Sequence, residues 1–143
     1  MRYLIFTIFT AIVFMSCDET KKVIDTAGNV QLSGSYTIES INGSEVSENI
    51  PTITFTALDK GIKGNAGCNS FFGKYTLDLY ALSFQEIAAT EMYCEQPIMD
   101  VENSFLQGLN NTGSYSLEDG ILTLYSKTDR SVLITAKKDK TDQ

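Results

Sequence analysis

Thr52-Ile53-Thr54-Phe55-Thr56-Ala57 alternates polar and apolar residues without a break, which places Ile53, Phe55 and Ala57 on one face of a strand and three threonines on the other. A strict period of two suits a half-buried strand and does not suit a helix. The signature recurs along the chain. Tyr36 and Ile38 precede Asn42-Gly43, and Tyr115 and Leu117 precede Glu118-Asp119-Gly120, after which Leu122 and Leu124 resume the alternation. Val132, Ile134 and Ala136 follow Asp129-Arg130 as a last strand. Asn-Gly and Asp-Gly accept the positive φ angles of tight hairpin turns, so each marks a reversal. Only one stretch has helical spacing: after Pro97, the apolar residues Ile98, Val101, Phe105, Leu106 and Leu109 share one helical face. Pro97 suits a first helical position, and Asp100 and Glu102 near the start suit the helix dipole. The helix is expected to fray near Asn110, after Gly108. These elements predict an α+β fold of about seven or eight antiparallel strands, with a single helix between the middle and final strands.

The first residues are of another kind. Arg2 precedes an apolar run, Leu4 to Met15, of twelve residues, about 18 Å as a helix against the ~30 Å of a bilayer core. The run is too short to span and reads as the apolar part of an export leader, with Ser16 as the small residue before the cut. Cys17 would then be the first mature residue, and Phe14-Met15-Ser16-Cys17 resembles a lipobox, although Leu and a small residue more often fill its first two positions. A thiolate there accepts a diacylglyceryl group, and several acyl chains give stable anchoring. Ordinary secretion with Cys17 as a spare thiol is the plain alternative. The expected organisation is a leader at 1–16, a lipidated N-terminus and flexible tether at 17–33, a folded domain at 34–137 and a polar tail at 138–143.

Removing the leader leaves 127 residues, the size of one domain. The whole chain carries a net charge of −7, and −8 once Arg2 is lost. Such a surface repels phosphate, so no nucleic-acid partner is expected. The chain has no histidine, which excludes a His-based triad, a Cys–His pair and His-ligated zinc. It also lacks tryptophan, the commonest sugar-stacking side chain, though seven Tyr and eight Phe remain. No cofactor is expected, and a monomer is.

Beyond Cys17, the chain has two cysteines, Cys68 and Cys94. In an oxidising exported setting they are expected to form a disulfide. A redox pair or two metal thiolates are the competing readings; the spacing is unlike C-x-x-C, and His is lacking. Their surroundings are distinctive. Gly64-Asn65-Ala66-Gly67-Cys68-Asn69-Ser70-Phe71-Phe72-Gly73-Lys74-Tyr75, then Ala88-Ala89-Thr90-Glu91-Met92-Tyr93-Cys94 and Pro97 to Phe105 with Glu102, resemble the META domain, or HslJ-like, family from about Gly34 to Lys137. The family's opening strand usually carries Trp where this chain has Tyr36. The resemblance implies a curved antiparallel sheet, a cracked barrel packed on the helix, and no known reaction. Members are mostly exported or lipid-anchored proteins associated with envelope stress or antibiotic tolerance.

Within the motif, Gly64, Gly67 and Gly73 read as bends or bulges, and Asn69 and Thr90 as side chains that bond to backbone. Phe71, Phe72 and Tyr75 read as core or rim aromatics. Met92, Pro97 and Glu102 complete the structural set. Glu86, Glu91, Glu95, Asp100 and Glu102 read as a solvated acidic face, since no Asp-x-Asp-x-Asp-Gly loop arranges them for calcium. Paired carboxylates for glycoside hydrolysis lack a visible shared cleft, so no catalytic or metal residue is assigned. The expected function is a non-catalytic, lipid-anchored envelope protein that binds or supports an envelope protein or small ligand. A pilot-like chaperone holding a lipid tail in the barrel and an inhibitor of a cationic lysozyme-like hydrolase are the alternatives. Asp18-Glu19 after Cys17 favours the outer membrane, on its periplasmic side or at the cell surface.

Overall fold

The computed structural model describes residues 27–140, so the expected leader, Cys17 and most of the expected tether lie outside the described residues. Nine strands form one antiparallel sheet: β1 Gly34–Ile41, β2 Ser44–Glu45, β3 Thr52–Thr56, β4 Gly61–Asn65, β5 Ser70–Asp78, β6 Ala81–Ala89, β7 Thr112–Glu118, β8 Ile121–Ser126 and β9 Val132–Lys138. A short helical segment, α1, covers residues 27–32, and the main helix, α2, is Gln96–Asn111. Neighbours run in the order β2-β1-β3-β4-β5-β6-β7-β8-β9, and β1 also pairs with β9. Eight strands therefore close into a barrel. β2 takes the part of the β1 edge beyond the reach of β3. The expected α+β barrel is present, and its weak seam lies between β6 and β7, which share one register pair, Ala81↔Ser114. No described helix is long and apolar enough to cross a membrane.

Local chemistry explains the hairpins. Asn42 (φ 50°) and Gly43 (φ 80°) turn β1 into β2, and Asp119 (φ 50°) and Gly120 (φ 79°) turn β7 into β8, as their residue types predict. Ile53 and Phe55 of β3 point inward as the alternation requires, while Ala57 falls just past the strand end. In β1 the inward set is Tyr36, Ile38 and Ile41, because a bulge between Ile38 and Ser40 shifts the register against β9.

The barrel is filled. Phe55 stands at the centre of an aromatic cluster, with ring centroids 5.7 Å from Tyr36, 5.4 Å from Tyr75 and 6.0 Å from Phe84. Such contacts add roughly 0.5–1.5 kcal/mol each beyond area burial. Eight strands leave an interior that side chains can fill, and the inward-facing Tyr36, Ile53, Phe55, Tyr75 and Leu122 are all at most 1% exposed, so this lumen is a packed core. Helices cover both ends. At the lower end, α1 sends Leu32 into the core at 0% exposure, and Tyr36 Oη donates to the Leu32 carbonyl at 2.9 Å. At the upper end, α2 buries Phe105 against Phe71, with centroids 5.5 Å apart, and lays Gly108 against Ile134.

Several expectations change. Residues 27–32 belong to the fold rather than to a tether, because Leu32 closes the bottom of the core. The polar tail starts later than 138: Lys138 pairs with Tyr36, and the Asp139 N–H donates to the Ser35 carbonyl at 2.8 Å. Pro97 is the second helical residue, and the first turn of α2 carries no acidic side chain, so the dipole explanation for Asp100 and Glu102 fails.

Candidate functional site

Asn69 is the centre of the motif. At 1% exposure it must satisfy every polar atom internally, and it does. Its Oδ1 accepts from Thr90 Oγ1 at 2.9 Å and from the Met92 N–H at 2.7 Å, while its Nδ2 donates to the Met92 carbonyl at 3.1 Å and to Glu102 Oε1 at 2.8 Å. Glu102 answers from α2: its Oε2 accepts the backbone N–H of Asn69 at 2.6 Å and of Cys68 at 3.2 Å. Buried polar networks of this kind are stable only when fully satisfied. Glu102 is thus 4% exposed and bonded, not part of a solvated acidic face; its three N–H partners account for the burial of a charged residue type. The Cys68–Cys94 disulfide, Cα–Cα 6.2 Å across 26 residues, ties the same turn to the segment before α2.

Gly67 connects this network to the surface. Its φ of +124° is closed to most side chains. A Cβ there would lie 3.4 Å from the Asn49 carbonyl oxygen and 3.7 Å from that of Ile98. The turn is therefore wedged between the segment after β2 and the first turn of α2. Those two elements diverge outward from Gly67 and form the walls of an open cleft of about 620 Å³. Ile41, Val46, Ile98 and Val101 supply its apolar side, Ser44, Ser47, Ser104, Asn42 and Asn49 its neutral polar groups, and Glu45, Glu48, Glu95 and Asp100 its carboxylates. No basic residue lines it.

The motif residues thus divide. Gly67, Asn69, Thr90, Met92 and Glu102 meet with Cys68 and Cys94, and Pro97 lies on the cleft wall. Gly64 is not a bend: it pairs with Ile53, and an added Cβ would sit 2.0 Å from the Thr52 carbonyl oxygen. Gly73 marks a bulge against β6, where Glu86 has φ 54°. Tyr75 is core, whereas Phe72 points outward at 65% exposure, paired with Lys63 and Ala88. The residues between β2 and β3 carry no motif that marks them as functional; their proximity to the Asn42-Gly43 turn is the one signal in the sequence. Among the described residues no three His, Cys, Asp or Glu side chains converge to hold a metal ion.

A small closed barrel, capped by one main helix and clamped to it by a buried Asn–Glu pair and a disulfide, is the class of α+β barrel domain that the motif implied. The chain belongs to the META domain family, whose sequence profile matches residues 29–139. A protein from Burkholderia xenovorans solved by NMR aligns with a TM-score of 0.65 at 20% identity, covering 81% of this chain and 89% of that one. A second NMR structure aligns with a TM-score of 0.62 at 29% identity, covering 77% and 93%. A DUF4847 family protein from Bacteroides vulgatus, solved by crystallography, aligns with a TM-score of 0.58 at 15% identity, covering 81% and 99%. No curated protein matches the sequence.

Proposed function

We propose that this chain is a lipid-anchored cell-envelope protein whose META domain acts by binding another envelope component, in support of envelope integrity under stress, and not by catalysis. The cleft between the β2–β3 segment and α2 carries this reading. It is open, has an apolar side and many hydrogen-bonding groups, and its serines lack any histidine partner that could activate them.

Two experiments test the reading. Labelled palmitate should be incorporated by the native chain and not by Cys17→Ser, and the native chain should fractionate with outer membranes. A soluble, unlabelled native chain would overturn the anchor. Ser47→Trp fills the cleft from an exposed wall position. It should fail to restore envelope-stress resistance to a deletion strain while keeping its expression level. Full restoration would overturn the cleft as the working surface.

A further inference from the structure

We infer that the cleft docks a cationic segment of a partner protein, an extended stretch in which lysine or arginine side chains alternate with apolar ones. This deepens the binding reading above and rests on it. Glu45 and Glu48 stand on one wall, Glu95 and Asp100 on the other. Among the described residues none of these four is ion-paired, and no lysine or arginine reaches the cleft to balance them. Like charges facing each other across a gap repel, and a cation between them removes that repulsion on both walls at once. The positive end of α2 opens on the same cleft, but a helix dipole amounts to roughly half a charge. Four carboxylates outweigh it.

The shape argues for a peptide over a bare ion. The carboxylates do not converge on one point, and about 620 Å³ is room for several side chains. Ile41, Val46, Ile98 and Val101 offer an apolar floor that a hydrated cation would not use. An extended segment sends successive side chains to opposite sides. In this cleft its apolar members can face the floor while its cationic members reach the rim carboxylates. Serine and asparagine side chains along the walls are placed for its backbone groups. The fixed negative potential also speeds the encounter at low salt.

The test uses the full lipidated chain in zwitterionic nanodiscs, with empty nanodiscs as the baseline. The probes are acetylated hexapeptides of alternating lysine and leucine, glutamate and leucine, or lysine and serine. The lysine–leucine peptide should bind saturably at one site, and the other two at least about tenfold more weakly. Glu48→Gln with Asp100→Asn should weaken lysine–leucine binding about tenfold, while Glu118→Gln, on the β7–β8 turn at the lower end, leaves it unchanged. Equal affinity for the neutralised cleft, or for the glutamate–leucine peptide, would overturn the proposal. If Ser47→Trp abolishes resistance in cells while no lysine peptide binds, the cationic occupant is wrong and the binding reading stands. If Ser47→Trp restores resistance, the binding reading itself falls.

Discussion

The lower and upper halves of this barrel are held by different physics. Around Phe55, four aromatic rings meet at tilted or edge-to-face angles, in contacts that depend on volume and shape. Around Asn69, five hydrogen bonds join three segments in a fixed pattern. Apolar cores accept conservative swaps at modest loss, whereas a satisfied buried network loses most of its value when one member changes. The half that adapts is sealed, and the half that cannot adapt stands directly behind the cleft. The rigid chemistry is found where wall geometry must be kept.

The largest effect should come from Glu102→Ala, which strands the Cys68 N–H, the Asn69 N–H and the Asn69 amide. At about 1–3 kcal/mol per buried orphan, partly recovered by water, denaturant titration should show a loss of roughly 4 kcal/mol. Glu102→Gln keeps the shape but brings an N–H against donors, and should still lose roughly 2 kcal/mol. Ile53→Leu, a volume-conserving swap on the strand that carries Phe55, should lose only about 1 kcal/mol. Equal losses for the two conservative swaps would erase the contrast between the halves.

Opening the disulfide should come next. Replacing Cys68 and Cys94 together by alanine should lower stability by roughly 3 kcal/mol, on the chain-entropy scale for a 26-residue separation. Non-reducing peptide mapping of the native chain should recover the two cysteines linked; free thiols at both would refute the clamp.

Alkaline titration probes the lower half alone and should give the smallest shift. Burial first, then the neighbouring Tyr115 and Tyr75, pushes the Tyr36 phenol up to about 12. The folded state holds that proton more tightly than the unfolded chain, so the contribution is complete below about pH 10 and falls as pH rises from about 10 to 12. At ~1.4 kcal/mol per pH unit, this is about 2.8 kcal/mol at most. Tyr36→Phe should reduce the pH dependence in that window, leaving the part due to Tyr75 and Tyr115, whose phenols burial also pushes up. An unchanged alkaline profile in that variant would assign the titration to another group.

Hairpins marked by Asn42-Gly43 and Asp119-Gly120 were legible because their residue types match the dihedral angles. The Leu79-Tyr80 turn was not, since Leu79 at φ 57° takes a conformation imposed by the sheet. Segment α1 is too short to show a period, and its Leu32 is defined by what it covers. The cleft was hidden for a similar reason: Glu45 and Glu48 become one wall only when Gly67 brings Asn49 and Ile98 close together. Glu102 misled because a carboxylate is usually exposed, and its buried partners lie more than thirty residues away. Motif spacing marked Asn69, Thr90 and Glu102 as a set without showing that they bond to each other.

The β1–β9 pairing has a kinetic consequence. The first strand of the barrel finds one of its two neighbours only when the last strand has arrived, with Tyr36 opposite Lys138 and Ile41 opposite Ile134. Contacts so distant in sequence make for slow folding. As the chain emerges from N- to C-terminus, β1 must wait, with that edge unpaired, for nearly the whole domain. Closure of the barrel is therefore governed by arrival of the last strand, and any delay there prolongs exposure of a strand edge open to pairing with another chain.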